Sequence, residues 1–403
     1  MNNHVITNTG IKRLLISHNI FTAGRVFFEI FLNVYIWKQT GDLTLIAWFN
    51  IAYLLLHTIT FHAFAGFVKK GKVHLPRIIA LVGYTLTYLV IYLMKENAIN
   101  YVIPIAIVIG FFNGMYWISY QILRFDLTHS ENRGNYTGLE NGSKLFVGVV
   151  MPSLGGAIIA ANFFGWGYSS LFLFGTVLFL VSLIIGNVKF PTYNTSKFHI
   201  RKTFSILIKD RDIMKSMFAQ FFSSFSRGGT IARLILPLLI FDIMKNELGL
   251  GVWLSFFSVV AIVNSFAFGK LIKYKYYKKL LFSGGVVYFF LIVLLILFPS
   301  FWIYILFGAL IKIVEASINI PKRVISENLV HYLEDENNHR IEYIVIREWF
   351  NIGFGRIGSF VLLLTVGELA VGQMKALLFL MAIAVLFEVF LIKSIKKSVT
   401  LLS

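Results

Sequence analysis

Apolar segments long enough to cross a lipid bilayer follow one another along almost the whole chain. Of its 403 residues, 57% are hydrophobic and 14% are charged, a balance that no soluble protein of this length needs. A bilayer-spanning helix requires about 20 mostly apolar residues. The segments that qualify are residues 12–36, 45–68, 76–95, 99–123, 138–162, 166–188, 213–242, 250–271, 279–298, 300–328, 341–366 and 372–394. The sequence therefore predicts an all-α integral membrane protein with twelve transmembrane helices.

The longest polar connection, residues 189–212, lies in the middle of the chain. It separates a predicted N-terminal six-helix bundle, residues 1–188, from a predicted C-terminal six-helix bundle, residues 213–403. The halves resemble each other, since residues 131–148 align with residues 338–355. Many transporters are built from such repeats, with the binding site near the bilayer midplane. We therefore expect two pseudo-symmetric bundles.

Lysine and arginine residues concentrate in alternate connections, for example Lys69, Lys70 and Arg77 after the second helix. Because basic loops stay in the cytoplasm, both termini and the central connection are predicted to be cytoplasmic, in a bacterial inner membrane. The N-terminus has no cleavable-signal layout and is expected to enter the first helix. The formal net charge of +18 then reflects topology and attraction to lipid headgroups. We expect a monomer in the lipid bilayer without a nucleic-acid partner.

The sequence offers no cofactor or metal motif. The absence of cysteine excludes disulfides, thiol catalysis and cysteine-ligated metals. Glu334, Asp335 and Glu336 lie beside His331 and His339, but their spacing matches no strong ligand motif and suits a solvated turn. No glycine-rich phosphate loop is present, which disfavours ATP-driven transport.

Charged residues lie in the middle of several predicted transmembrane helices. A charge at bilayer depth is costly, so it is retained mostly where it faces protein, water or a ligand. The deep cations are Arg25, Arg227, Arg233, Lys312, Arg347 and Arg356. They outnumber the deep carboxylates, which favours an anionic or zwitterionic cargo. All of these cations except Arg347 are candidate substrate ligands.

The deep carboxylates Glu29, Glu315 and Glu348 are candidate proton carriers. Burial raises the pKa of a carboxyl group and a nearby cation lowers it, so a carboxylate balanced between the two can load and release a proton. Glu29 lies four residues after Arg25, and Glu315 lies three residues after Lys312. The same spacings suit static salt bridges, and the sequence leaves both interpretations open.

The fourth predicted helix adds aromatic and amide residues that are candidate contacts for a cargo with rings or apolar parts, with helix packing as the alternative. They are Asn113, Tyr116, Trp117, Tyr120 and Gln121. His57 and His62 in the second helix suit either proton transfer or a hydrogen bond between helices.

One predicted helix in three is almost free of charge. The third, sixth and ninth have no charged residue in their interiors, and the twelfth has Glu388 near its cytoplasmic end and Lys375 near the other. These four helices are predicted to be peripheral, around an inner set that lines an aqueous cavity.

Two cytoplasmic motifs resemble those of the major facilitator superfamily. Gly66, Lys69 and Lys70 match the glycine and basic parts of the family motif after the second helix, although its acidic residue is missing here. Glu131 and Arg133 match the acidic–Arg–Gly run after the fourth helix. The resemblance implies that these five residues form a cytoplasmic gate.

The fifth helix carries a run similar to the exporter motif of that family. Pro152, Gly155 and Gly156 give Pro-x-x-Gly-Gly, with Met151 where the first glycine belongs. Proline and glycine let a helix bend or pack closely. The resemblance implies rocker-switch alternating access and favours efflux. The central arginine that many proton-coupled drug exporters carry in the fourth helix is absent here.

We therefore expect a secondary active transporter, not an enzyme, that exports a small amphipathic or anionic molecule by coupling to protons. Proton-coupled uptake and flipping of an anionic lipid or lipid-linked sugar are alternatives, because a positive cavity suits each of them. A membrane enzyme acting on lipid phosphates is a further alternative, disfavoured because such enzymes usually place catalytic acids or histidines in sizeable loops at the membrane edge.

Overall fold

The computed structural model describes most of the chain, and all regular secondary structure in that part is helical. The described residues are 8–127, 130–162, 167–186, 198–227, 234–271, 274–298, 300–337, 339–366 and 371–396. Nine helical stretches among them are long and apolar enough to cross a membrane, and one of these, His74–Arg124, holds two α-helices. The predicted all-α membrane fold is confirmed, whereas the count of twelve stays a prediction.

The helices of the N-terminal half follow each other with short connections. In lipid, only a helix satisfies every backbone N–H and C=O group within its own segment, so long apolar runs adopt this form. These helices are α1 (Asn8–Val26), α2 (Asn33–Thr40), α3 (Leu43–Lys69), α4 (His74–Met94), α5 (Val102–Leu127), α6 (Ser130–Ala161) and α7 (Gly167–Gly186).

The C-terminal half contains both long spanning helices and shorter ones. They are α8 (Ile200–Leu207), α9 (Arg211–Phe225), α10 (Leu236–Met244), α11 (Glu247–Leu271), α12 (Tyr277–Leu297), α13 (Phe301–Asn337), α14 (Arg340–Glu348), α15 (Ile357–Val366) and α16 (Val371–Lys393). Two of them differ from the predicted segments in kind: α13 continues to Asn337, and α8 lies within the predicted central loop. Hydropathy marks only the part of a helix that can lie in lipid, so it misses both features.

Apolar side chains fix α8 against the rest of the C-terminal half. Leu207 belongs to a buried cluster with Met217 and Tyr343, and Phe204 packs on the same cluster. The backbone N–H of His199, just before the helix, donates to a carboxylate oxygen of Glu342 at 2.8 Å. The described residues 199–207 of the central connection therefore pack on the start of α14.

π-helical turns interrupt two of the long helices next to predicted deep arginines. The segment Phe27–Leu32 follows Arg25 and leads into α2, and the segment Trp349–Arg356 joins α14 to α15. Residues 226–227 at the end of α9 are also π-helical, and they include Arg227. Such turns are rare and occur frequently at functional sites.

The chain forms two compact units whose segments alternate along the sequence. Unit 1 comprises the described residues of 1–41, 52–198 and 244–255, and unit 2 those of 42–51, 199–243 and 256–403. In unit 1, α7 packs along α1 and α4, and α4 packs along α5. In unit 2, α16 packs along α9 and α12, and α12 packs along α13. In each unit, one helix thus packs along two others, and one of these packs along a fourth. The predicted domain boundaries stay a prediction.

Two glycines let α5 approach α3 closely within unit 1. Gly110 and Gly114 lie one helical turn apart, a spacing of small residues that brings membrane helices together. A Cβ atom on Gly114 would lie 2.5 Å from the carbonyl oxygen of His57 and 2.8 Å from the amide nitrogen of Phe61. The two backbones therefore touch at Gly114.

Gly114→Ala is expected to destabilise the protein by about 1–3 kcal/mol, because the added methyl group forces the two backbones apart. Gly142→Ala is the matched control, since nothing lies within 4 Å of its Cβ position. Alanine should stabilise the helix there by up to about 1 kcal/mol. Thermal unfolding of both purified variants in detergent measures the difference, and equal melting temperatures would contradict the close approach.

Candidate functional site

The first predicted ion pair is present in unit 1. Nη2 of Arg25 pairs with Oε1 of Glu29, and the guanidinium carbon lies 5.1 Å from the ring centroid of Trp117. The Arg25 and Glu29 side chains are 12% and 27% exposed, so neither is sealed in the core. The pair lies where α1 passes into the π-helical turn, against the indole ring on α5.

A second cation approaches the same ring from α6. Nζ of Lys144 lies 5.9 Å from the ring centroid of Trp117 and 2.7 Å from Oε1 of Glu140. Nε of Arg124 lies 3.4 Å from Oε2 of Glu140. Glu140 is buried between these two cations and neutralises only one of them.

Arg25, Glu29, Trp117, Glu140 and Lys144 form a group that we call the Trp117 site. Arg124, the second cation on Glu140, also belongs to the site, which therefore holds three cations and two carboxylates. Cations are attracted to the face of an indole ring, and they bind carboxylate and phosphate groups through charge-assisted hydrogen bonds. Three helices thus bring a surplus of positive charge to an aromatic surface.

Aromatic rings support the Trp117 site from inside unit 1. His18 stacks on Tyr120 with ring centroids 3.6 Å apart, and its Nδ1 lies 3.0 Å from the hydroxyl of Tyr116. The hydroxyl of Tyr120 donates to Glu140 at 3.0 Å and lies 3.2 Å from that of Tyr136. Burial raises the pKa of Tyr136, which precedes the apolar part of α6, to about 12. Tyr116 and Tyr120, both predicted substrate contacts, are buried and use their hydroxyls within the protein.

The candidates Asn113 and His57 bond to each other. Nδ2 of Asn113 lies 2.6 Å from Nδ1 of His57, and Oδ1 of Asn113 accepts from the hydroxyl of Tyr84 at 2.8 Å. Asn113 and His57 are both buried, so they link α3, α4 and α5 inside unit 1. Gln121 and His62, the other candidates of these helices, are half-buried.

In unit 2, Arg227 forms a bidentate ion pair with Glu388. Its Nε donates to Oε2 of Glu388 at 3.0 Å, and its Nη2 donates to Oε1. Its Nη1 donates to Oδ1 of Asn319 at 2.8 Å, and Nη2 also donates to Oγ of Ser223 at 3.1 Å. Arg227 and Glu388 are 4% and 0% exposed. Glu388, expected only as a charge near the end of the last helix, is the buried counter-ion of Arg227.

The other charged candidates of unit 2 lie on α13 and around the second π-helical turn. Nζ of Lys312 lies 3.1 Å from Oε2 of Glu315, and these side chains are 27% and 18% exposed. Glu348 is buried and accepts from Nδ2 of Asn351 at 3.2 Å. Arg356 is half-buried at the end of the turn. The pair on α13 matches the partial exposure of the Arg25 pair in unit 1.

Some candidates fall outside the described part of the chain. Arg233 is one, and the side chains of Glu131 and Arg133 are others. The same holds for the side chains of His331 and of residues 334–336, the acidic cluster. Their predicted roles stay predictions.

The remaining gate candidates surround the turn after α3. Lys69 is 2% exposed, whereas Lys70 is exposed. A Cβ atom on Gly66 would make an ordinary contact with Phe198, 3.7 Å away. Gly71 has a φ of +82°, a backbone conformation that favours glycine. The glycine that the turn itself needs is therefore Gly71.

The exporter-like run in α6 provides close packing within unit 1. A Cβ atom on Gly155 would lie 2.5 Å from Cε2 of Phe31, and one on Gly156 would lie 3.0 Å from Cα of Leu248. Pro152 lies inside the helix. Both glycines are thus required by neighbouring atoms, whatever bending the proline adds.

Arg77 is a buried cation that the sequence suggested was a loop residue. It is 1% exposed, and its Nη1 donates to the carbonyl oxygen of Gly186 at 2.8 Å. Its Nη2 donates to Oγ of Ser17 at 2.6 Å. Its partners are 60 and 109 positions away along the chain, so no local spacing signals them.

The comparison with known families decides the class of protein. Residues 14–321 match the sequence profile described as Major Facilitator Superfamily. The chain belongs to the major facilitator superfamily. As a member of this superfamily it is an integral membrane protein and a secondary transporter, which is expected to bind a small-molecule substrate within the membrane.

The chain is also similar to two bacterial proteins and to a solved structure. The uncharacterized protein YqgE of Bacillus subtilis strain 168 is 26% identical over 358 residues, which cover 88% of this chain and 82% of that protein. An uncharacterized protein in the sodM 3' region of Geobacillus stearothermophilus is 25% identical over 166 residues, covering 41% of this chain and 78% of the relative. A crystal structure of a bacterial homologue of the iron transporter ferroportin, in an inward-facing state, has a TM-score of 0.62 at 15% identity. That similarity covers 95% of this chain and 97% of the other, and it shows the shared fold.

Glu140→Gln is expected to lower the free energy of unfolding by about 2 kcal/mol. The change leaves two cations without their carboxylate, and partial exposure of Lys144 reduces the cost below that of a fully buried pair. Glu96→Gln, at an exposed position of the same unit, should change stability by less than about 0.5 kcal/mol. Chemical unfolding in detergent compares the variants. A Glu140→Gln protein as stable as the control would show that Glu140 does not anchor the Trp117 site.

Proposed function

We propose that this major facilitator carries a small anionic or amphipathic molecule together with protons across the cytoplasmic membrane, as a monomer with both termini in the cytoplasm. The Trp117 site is the main support for the proposal. Its cations outnumber its carboxylates, and the side chains of Arg25, Glu29 and Lys144 are partly exposed. A guanidinium and an ammonium group suit a carboxylate or phosphate group of the cargo, and the indole ring suits an attached ring or apolar part. The same surplus repels a cationic cargo.

Glu29 and Glu315 are the proposed proton carriers. Each is ion-paired with a cation on its own helix segment and remains partly exposed. An anionic cargo that binds Arg25 takes the place of Glu29 beside the guanidinium group, and a proton on Glu29 neutralises the carboxylate that has lost its partner. Proton and anion thus favour each other's binding, which is the linkage of a symporter.

Export is the second candidate, and it is the direction that the sequence favours. It is supported by the exporter-like run Pro152, Gly155 and Gly156, whose glycines pack closely in unit 1. Exchange of protons for an anion requires the two to compete, so the sign of the pH dependence of binding separates the candidates.

A thermal-shift screen of the purified protein tests the cargo class. Benzenesulfonate, benzoate, inorganic phosphate and dioctanoyl phosphatidate are the anionic probes, and tetraphenylphosphonium and iron(II) are the cationic ones. Iron(II) is included because the similar fold is that of a ferroportin homologue. A ligand of the native state raises its melting temperature, so we expect a rise with at least one anion. A rise with the cations alone would contradict the proposal.

Arg25→Gln should weaken binding of the best anionic probe by about tenfold or more, because it removes the charge that faces the cargo. Arg25→Lys keeps the charge and should lose less affinity, although it lacks the planar fork. Isothermal titration of the parent and both variants measures this order. Equal affinities in all three proteins would show that Arg25 does not bind the probe.

The binding of benzenesulfonate should tighten as the pH falls, because this probe stays ionised and only the protein gains a proton. Glu29→Gln and Glu315→Gln mimic the protonated carboxyl group, so binding persists in them while its pH dependence is reduced. Proton-driven transport in liposomes with a pH gradient should be lost in the Glu315→Gln variant. If binding of benzenesulfonate weakens on acidification, the result favours exchange of protons for the anion. If the Glu315→Gln variant transports at the parental rate, Glu315 is not a proton carrier.

A further inference from the structure

A mostly buried ammonium group in unit 2 shares its acceptors with an arginine. Nζ of Lys322 lies 2.6 Å from Oγ of Ser223 and 3.2 Å from Oε1 of Glu388. Both oxygens also accept from Nη2 of Arg227. Among the described residues, each acceptor of Lys322 is therefore one that Arg227 also uses.

The group around Glu388 carries more positive than negative charge. Arg227 contacts both carboxylate oxygens by itself and so supplies the full counter-charge. Lys322, only 13% exposed, adds a second cation to the same carboxylate. A buried charge without its own counter-charge is costly, so its retention points to an anion that joins the group during transport.

Asn319 supplies a further donor on the same face of α13. Its Oδ1 accepts from Arg227. Because a guanidinium group can only donate, this contact distinguishes the oxygen of the Asn319 amide from its nitrogen. The Nδ2 group of this exposed side chain is then a donor that does not face Arg227. Lys322 follows three residues later, so the amide and the ammonium are neighbours along one face of the helix.

We propose that Lys322 and Asn319 form the anion subsite of unit 2, that Arg227 positions Asn319, and that Glu388 is the carboxylate whose place beside Lys322 the anion takes. The subsite takes a carboxylate or phosphate group. Lys322 gives up Oε1 of Glu388 for this anion, while Arg227 keeps the carboxylate paired. The inference rests on the proposed function, since it assumes an anionic cargo, and it assigns Arg227 a positioning role in place of the predicted cargo contact.

Titration of the full-length protein with the anionic probes tests the subsite. Lys322→Met removes the charge at similar length, and we expect it to weaken binding of the best probe at the unit 2 subsite by about tenfold or more, with Lys322→Arg restoring much of the loss. Lys393→Met is the matched control, because it removes an exposed lysine of the same unit, next to the ring of Phe282. Parental affinity in Lys322→Met overturns the subsite. Preference for dioctanoyl phosphatidate over inorganic phosphate would identify a lipid headgroup as the source of the anion.

Glu388→Gln supplies a test of opposite sign. It removes the carboxylate that competes with the cargo for Lys322, so we expect about tenfold tighter binding of the same probe. The melting temperature without probe should fall, because Arg227 loses its counter-charge. Unchanged or weaker binding by the folded Glu388→Gln protein contradicts the subsite.

The outcomes separate this inference from the proposed function. If Arg25→Gln loses affinity while Lys322→Met and Glu388→Gln bind like the parent, the proposed function stands and the subsite is wrong. If no anionic probe binds the parent protein, the proposed function fails and the subsite fails with it.

Discussion

Charges held within membrane-spanning helices must find partners inside the protein, because lipid offers neither water nor counter-ions. The structure meets this requirement in two ways. Arg77 and the pair of Arg227 with Glu388 are sealed among helices that are distant in sequence, and they tie those helices together. Arg25 with Glu29 is instead paired within one helical segment and partly exposed.

This division separates charges that hold the fold from charges that can exchange partners. Breaking a sealed pair leaves a buried charge uncompensated, which costs too much to recur in every transport cycle. A partly exposed pair pays less to separate, because solvent or an anionic cargo can replace the lost partner. Arg25 with Glu29 in unit 1 and Lys312 with Glu315 in unit 2 have this second character. Lys322 is intermediate, since it can leave its carboxylate without leaving that carboxylate unpaired.

The parts of the structure that depend on local sequence were predictable, and those that depend on distant contacts were not. Hydropathy reports solubility in lipid directly, so helices such as α7 and α12 begin and end within about two residues of the predicted segments. The pairing of Arg25 with Glu29 follows from helical spacing alone. In contrast, Arg227 and Glu388 are 161 positions apart, and nothing in either segment indicates the other. The burial of Arg77 and the position of Trp117 between two cations also depend on residues distant in sequence, so local patterns did not indicate them.

Anomalous diffraction from crystals grown with 4-bromobenzenesulfonate tests the central claim, that surplus cations beside an aromatic surface receive an anionic cargo. The account predicts a bromine peak within van der Waals contact of the Trp117 ring, with the sulfonate group on Arg25 or Lys144. A bound probe far from all of these residues, or Arg25 and Lys144 side chains directed to lipid, would contradict it.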